Sequence, residues 1–207
     1  MTGIKRVEDV IERLAGIATV DYGFLQGRKA ILSQLQKRTG EDEETRVDMC
    51  IANAKNAVES LISKSSPYTI PEDYLYFLGY YGGLCISRDS HYFQVFGIGP
   101  MVEEWYAAID SDAAILKPGE SGFLSIGSLS FATGKFQFQR VNFFLDLAGV
   151  VQKQSIIGIG PWSKEETTPL DVIKDFSAYA GMWKIIAGTF IEWLGQVAKT
   201  QGLFIYT

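Results

Sequence analysis

Residues 70–83 read IPEDYLYFLGYYGG, and this stretch predicts a short helix with its own start and stop signals. Pro71 suits the first helical position, where its missing N–H is not needed, and Glu72 and Asp73 meet the positive end of the helix dipole. The Gly82-Gly83 pair supplies the left-handed conformation at which helices end. Four large apolar residues then share one helix face at i, i+3, i+4 and i+7 spacing: Tyr74, Phe77, Leu78 and Tyr81.

The chain on the N-terminal side of this helix has helical periodicity. Apolar residues recur at helical spacing from Ile4 to Ala18, and again from Val47 to Leu61. The segment Ser63–Pro67 has the composition of a linker. We predict an N-terminal helical extension over residues 1–66 that packs on the same domain, followed by an α+β domain over residues 67–207.

After Gly83 the pattern changes to short apolar runs, which predict five or six strands. The links between the runs are short, so the sheet is predicted to be mostly antiparallel. A change of parity near Arg140 to Asn142 predicts a bulge or a turn there. The predicted strands are Leu84–Ser87, Tyr92–Phe96, Phe123–Gly127, two runs within Lys135–Leu147 whose apolar residues alternate with opposite parity, and Val150–Ile157. The last of these follows a hairpin turn at Ala148-Gly149.

Helical spacing returns in two later places. A helix is predicted from Pro100, and the segment from Trp162 to Trp183 is interpreted as an insertion, either a lid or a partner surface, with a helical region from Pro169. Leu203–Tyr206 is either an edge strand or a cover of the core. The last predicted helix carries Ile185, Ile186, Phe190, Trp193, Leu194 and Val197.

These patterns predict one fold class, an α+β domain with an antiparallel-rich mixed sheet covered by helices. The sheet should span about Leu84 to Gly160, with the helix of residues 70–83 and the C-terminal helix packed on it. One core cluster is expected to contain Tyr74, Phe77, Leu78, Phe143, Leu145, Phe190 and Leu194.

Composition limits the class of protein and of partner. An apolar content of 47% is enough for a real core, and the formal charge of −5 without a Lys/Arg cluster argues against nucleic-acid binding. The start of the chain has no signal-peptide pattern, and no apolar run approaches a membrane span. Two cysteines do not make a secreted disulfide scaffold. We therefore expect a cytoplasmic protein with no membrane partner.

The sequence lacks the histidine, cysteine and glycine-loop arrangements used in catalysis, so no enzyme, cofactor or metal site is predicted. His91 is the one histidine, and its place at a strand start beside a turn favours an ordinary surface or edge residue. Cys50 and Cys85 have no CxxC arrangement. The Gly97–Pro100 and Gly158–Pro161 segments lack the remaining residues of dinucleotide or phosphate loops.

The helix of residues 70–83 also resembles the opening motif of the SMI1/KNR4 family, also called the SUKH superfamily: proline, two acids, Tyr-x-x-Phe-Leu, then Gly-Gly. Similar segments follow in the family's order from about Val58 to Val197. They are Phe93–Gly97, Phe123–Gly127, Phe143–Leu147 and the closing helix around Ile186–Leu194. Residues 1 to about 42 have no counterpart in a minimal domain of this family.

The resemblance implies a non-catalytic protein-binding module, an immunity protein that binds and neutralises a cognate bacterial toxin such as a nuclease. The acidic balance fits a basic toxin domain as the partner. Two alternatives stay open: a small hydrolase using carboxylates such as Asp146 or Glu120, and a regulatory scaffold for cell-wall synthesis, as in fungal members of the family.

Aromatic and acidic residues crowd together between positions 103 and 112. Core aromatics beside solvated acids would explain the pattern. A partner-binding surface would also explain it, because aromatic residues are enriched at interface hot spots and acids steer a basic partner. The predicted partner-binding residues are Glu103, Glu104, Trp105, Tyr106, Asp110 and Asp112.

Overall fold

A computed structural model describes residues 2–15, 68–81, 83–88, 91–95, 122–132, 138–162 and 169–200, and places residues 45, 48, 49, 51, 52 and 54–56 in helical conformation. The helices are α1 (Thr2–Ala15), α2 (Glu72–Tyr80), α3 (Pro169–Lys174) and α4 (Phe190–Thr200). The strands are β1 (Leu84–Arg88), β2 (His91–Val95), β3 (Phe123–Ala132), β4 (Phe138–Asp146), β5 (Ile156–Trp162) and β6 (Trp183–Ala187).

The six described strands form one sheet in the order β1-β2-β3-β4-β5-β6, and every neighbouring pair is antiparallel. This arrangement confirms the α+β class and the antiparallel sheet. The sheet extends beyond Gly160, however, because β6 joins it after α3. One face of the sheet, here called the inner face, packs against α1, α2 and α4. The opposite face, the outer face, packs against α3 and the residues that follow it.

The inner face contains the main core. The seven residues predicted to meet there all belong to one buried cluster, so that prediction is confirmed. Phe190 at the start of α4 lies between the rings of Tyr74 and Phe77, with centroid distances of 4.9 and 5.4 Å. Trp193, one turn later, packs against Phe93 and Phe143 of the sheet. Helix α4 therefore joins α2 to the sheet through aromatic contacts.

Helix α2 is buried on all sides, whereas the sequence predicted one apolar face. Every residue from Tyr74 to Tyr80 is buried, because α1 covers the side of α2 that the stripe left open. Val7, Val10, Ile11 and Leu14 of α1 belong to the same core cluster. The Tyr76 hydroxyl donates to the Glu8 carboxylate at 2.7 Å, so its polar end also has a partner.

The ends of α2 differ slightly from the predicted ones. Pro71 is the N-cap residue and Glu72 is the first helical residue, because the ψ of Pro71 is 136°, outside the helical range. Leu75 N–H donates to the Pro71 carbonyl at 3.1 Å, which is the first bond of the helix. At the other end Gly83 has a φ of 129°, which favours glycine; Gly82 lies outside the described residues.

The predicted strand Val150–Ile157 begins too early, because β5 starts at Ile156. Residues 147–155 instead form a loop that closes on Asp146. Near Arg140 and Asn142 the register between β4 and β5 shifts, as predicted, but the additional residue belongs to β5. A second shift, which the sequence did not predict, inserts Ile126 into β3.

The prediction that Ile185 and Ile186 belong to the last helix is wrong, because both lie in β6. A capping arrangement separates strand from helix. The Thr189 hydroxyl accepts from the Glu192 N–H at 3.2 Å, and the Glu192 carboxylate accepts from the Gly188 N–H at 3.0 Å. The Thr-x-x-Glu spacing was visible in the sequence and marks the true start of α4.

Several predictions fall outside the described residues: the helix from Pro100, the segment Leu203–Tyr206 and the boundary between residues 66 and 67. They stay predictions. Among the residues described, no helix combines the length and the apolar character needed to cross a bilayer.

Candidate interaction surface

The six predicted partner-binding residues, Glu103, Glu104, Trp105, Tyr106, Asp110 and Asp112, lie outside the described residues, as does Glu120. His91 begins β2, and its ring stacks on Phe131 of β3 at 6.0 Å. β2 lies between β1 and β3, so His91 is not on an edge strand; it is a partly exposed residue at the end of an inner strand. Over the described ranges, no group of three or more His, Cys, Asp or Glu residues is arranged to hold a metal ion.

Asp146 is fully buried and organises the loop between β4 and β5. Its two carboxylate oxygens accept four backbone N–H bonds of 2.7 to 3.1 Å, from Gly149, Val150, Val151 and Gln152. Its own backbone bonds to Ser155 and Gln154 across the base of the loop. This geometry gives the carboxylate a structural task and favours that role over catalysis, because the loop amides already occupy both oxygens.

A cluster of partly exposed apolar side chains covers the outer face of the sheet near β5 and β6. We call it the aromatic patch; its members are Ile173, Phe176, Tyr179, Met182 and Trp183. They rest on a buried layer formed by Phe123, Phe144, Ile157, Ile159 and Val172. Ile185, two residues after Trp183 on the same strand, is 42% exposed. The patch thus lies over a rigid sheet and continues to the sheet's last described strand.

Hydrogen bonds and ring contacts position the rings of Phe176 and Trp183 in the aromatic patch and the turn between them. The Trp183 indole N–H donates to the Phe176 carbonyl at 2.8 Å, and the two rings meet edge to face at 4.9 Å. Phe176 also contacts Phe123 of the buried layer at 5.4 Å. The Met182 N–H donates to the Tyr179 carbonyl at 2.8 Å. A partner would therefore meet side chains that are already positioned, which lowers the entropy cost of binding.

Asp175 shapes the turn that leads from α3 into the patch. One of its carboxylate oxygens accepts from the N–H and hydroxyl of Ser177 and from the N–H of Ala178, at 2.6 to 3.1 Å. The hydrogen bond from the Ser177 hydroxyl, with help from these amides, lowers the pKa of Asp175. Exposed Lys174 and Asp175 give the patch a charged border.

The other half of the outer face is polar. Register places Tyr92 and Gln94 of β2 opposite Ser130 and Ser128 of β3. Gln94 and Ser128 are buried, and the Gln94 side-chain amide donates to the Tyr92 hydroxyl at 2.7 Å. These four described side chains of β2 and β3 are polar, so the aromatic patch has a polar neighbour region on this face.

The sequence predicts that residues 162–183 are an insertion that forms a lid or a partner surface. The described residues from Pro169 onwards cover the outer face, and all five members of the aromatic patch belong to this segment. A sequence signal was available, since Phe176, Tyr179 and Trp183 recur in a segment with few charges. The pattern does not distinguish a surface patch from a core, because aromatic residues at such spacing are equally expected in a core.

No family model matches the chain, and searches of curated proteins and of solved structures found no significant match. The resemblance to the SMI1/KNR4 family therefore stays a prediction from the residues quoted above.

Proposed function

We propose that the protein is a non-catalytic binding module that recognises another protein, and that it acts as an immunity protein against a cognate bacterial toxin. The aromatic patch is the observation that carries the proposal. Tyr, Trp, Phe and Met are the residue types enriched at protein interfaces, and here they are partly exposed, clustered and held in place. The toxin as partner comes from the resemblance to the SMI1/KNR4 family.

The shape of the patch supports a protein partner over a small molecule. Small ligands are bound in concave sites that enclose most of their surface. The patch instead consists of side chains laid over a sheet and an edge strand, with charged residues at its border. This arrangement suits a large, shallow contact with an apolar centre and a polar rim.

Net charge adds a second contribution to the proposed recognition. The formal charge of −5 would attract a basic toxin domain, and the predicted acidic residues Glu103, Glu104, Asp110 and Asp112 would increase that attraction locally. Changing Glu103 and Glu104 to lysine should then slow association and reduce its dependence on salt. Association rates at two salt concentrations test this part, and equal rates for the variant and the wild type would contradict it.

The main test uses the toxin encoded beside the gene of this protein. Co-expression should restore growth of cells that make the toxin, and the two purified proteins should form a stoichiometric complex. Tyr179→Ala should weaken the complex about tenfold or more, because truncated aromatic residues at interface centres commonly have effects of this size.

Tyr92→Ala is the matched control, since Tyr92 lies on the same face of the sheet but in its polar half and is 40% exposed. Its affinity should stay close to that of the wild type. The absence of a complex, or turnover of a small substrate by the protein alone, would refute the binding-module proposal. Equal losses in both tyrosine variants would show that the aromatic patch is not the contact surface.

A further inference from the structure

Strand β6 ends the described sheet, so its outer side faces away from β5. The hydrogen-bonding pattern shows which of its peptide groups point outwards. The Gly160 N–H donates to the Met182 carbonyl at 2.8 Å, and the register pairs Gly158 with Lys184 two residues further on. Bonded pairs alternate along antiparallel strands. Trp183 and Ile185 therefore direct their N–H and C=O groups away from β5.

Beyond Ile185 the outer side of β6 is protected from pairing with a further strand. The register between β5 and β6 shifts after Ile185. The side-chain amide of Gln196, on α4, donates to the Ile186 carbonyl at 3.2 Å. Bulges and covering side chains are common ways to protect an edge from further pairing. Within β6 as the structure describes it, the segment from Trp183 to Ile185 keeps outward peptide groups, and it adjoins the aromatic patch.

We propose that the bound protein adds an extended strand to β6 along Trp183–Ile185, and that an apolar side chain of this strand rests on the aromatic patch. The inference rests on the proposed function and names the mode of contact. Outward N–H and C=O groups in strand geometry match another extended backbone, which is the basis of recognition by strand addition. The patch on the outer face supplies the side-chain contact that peptide groups alone cannot.

A strand from another protein fits this edge better than a second copy of the chain. Two copies paired antiparallel about Lys184 would place lysine opposite lysine, which is unfavourable. Pairing about Ile185 would place Trp183 of each copy opposite Ala187 of the other, beyond the register shift. Pairing about Trp183 would place Ile185 of each copy opposite Gly181 of the other, which precedes β6. None of these three symmetric arrangements therefore uses the edge without a penalty.

The test compares Ile185→Pro with Ile185→Thr in the complex with the neighbouring toxin. Both changes remove the isoleucine side chain, but only proline removes the outward N–H and blocks strand addition. Proline is tolerated in edge strands where the N–H points to solvent, so both variants should fold. We expect Ile185→Pro to bind about tenfold more weakly than Ile185→Thr, as the loss of edge hydrogen bonds would require.

Hydrogen exchange of the wild-type complex provides a second measurement, which does not depend on the folding of the proline variant. The amides of Trp183 and Ile185 should become protected on binding. Equal affinities of the two variants, or no new protection at these amides, would overturn the strand-addition inference while leaving the binding function intact. A wild-type protein that dimerises through this edge, with Ile185→Pro monomeric, would overturn the choice of partner. No toxin binding by the wild type would refute the proposed function itself.

Discussion

Replacing Asp146 with alanine should destabilise the protein strongly, although the residue lies next to a surface loop. The carboxylate is fully buried and accepts four backbone N–H bonds from residues 149–152. Without it, these amides must find water or stay unpaired. The loop would also lose the group that fixes its path between β4 and β5.

The expected loss follows from the strength and exposure of these bonds. A hydrogen bond to a charged group contributes about 1.5–3 kcal/mol, so four independent bonds would contribute about 6–12 kcal/mol. Gly149, Val150 and Gln152 are exposed, so water can replace the carboxylate for most of the amides. We therefore expect Asp146→Ala to lower the free energy of unfolding by about 3–5 kcal/mol, a large share of the roughly 5–15 kcal/mol typical of a domain.

Asp146→Asn removes the charge of the side chain but keeps its size and shape. Its side-chain oxygen can still accept from two loop amides, while its NH₂ group would face the other two donors. The loss should be about 2–4 kcal/mol, close to that of alanine despite the equal size of the side chain. Asp175 is the matched control, because it bonds to a turn in the same way but is exposed. Asp175→Asn should leave the unfolding midpoint nearly unchanged.

Urea unfolding, followed by far-UV circular dichroism and tryptophan fluorescence, measures these differences. A loss below about 1 kcal/mol for Asp146→Ala would refute the argument, because it would mean that the loop amides are hydrated equally well without the carboxylate. If Asp146→Asn folds and abolishes a hydrolytic activity while leaving stability unchanged, the carboxylate is catalytic and its structural role is wrong.

Two further predictions concern helix α2. Phe77→Ala should cost about 3–5 kcal/mol in urea unfolding, because Phe77 is fully buried against Tyr81 and Phe190; a cost under about 1 kcal/mol would show that its site collapses without penalty. Burial raises the pKa of Asp73 above 3.8, although N–H groups of Tyr74 and Ile191 oppose the shift. Its contribution to stability is thus fully present below pH 3.8 and is lost as pH rises through the raised pKa. Asp73→Asn should therefore gain stability relative to the wild type over this acid range, and parallel pH profiles of the two proteins would contradict the assignment.

The sequence alone determined the features that depend on neighbours along the chain. Helix α2 was predicted within one residue, because the Pro-acid-acid start and the glycine stop act over a single turn. The antiparallel pairing of β1 with β2, of β3 with β4 and of β4 with β5 followed from short links, since such links can join adjacent antiparallel strands but not parallel ones. The links from β2 to β3 and from β5 to β6 are long, so local sequence did not decide those two pairings. The main core was also predictable, because it consists of the largest apolar residues on those elements.

Tertiary structure decided the features that depend on which residues meet across the fold. The burial of α2 on all sides requires α1, and the loop after β4 requires a carboxylate placed beneath its amides. At Gly127 a Cβ atom would approach the Gln94 carbonyl to 2.4 Å and the Trp193 ring to 3.0 Å, a restriction that no local pattern signals. Ile185 and Ile186 suit a helix or a strand equally by composition. They belong to the last described strand because that segment pairs with β5. The capping bonds of Thr189 and Glu192 place the start of α4 after them. The aromatic patch also depends on tertiary contacts. Its side chains pack on the outer face of the sheet, so one side of each is covered and the other side stays exposed.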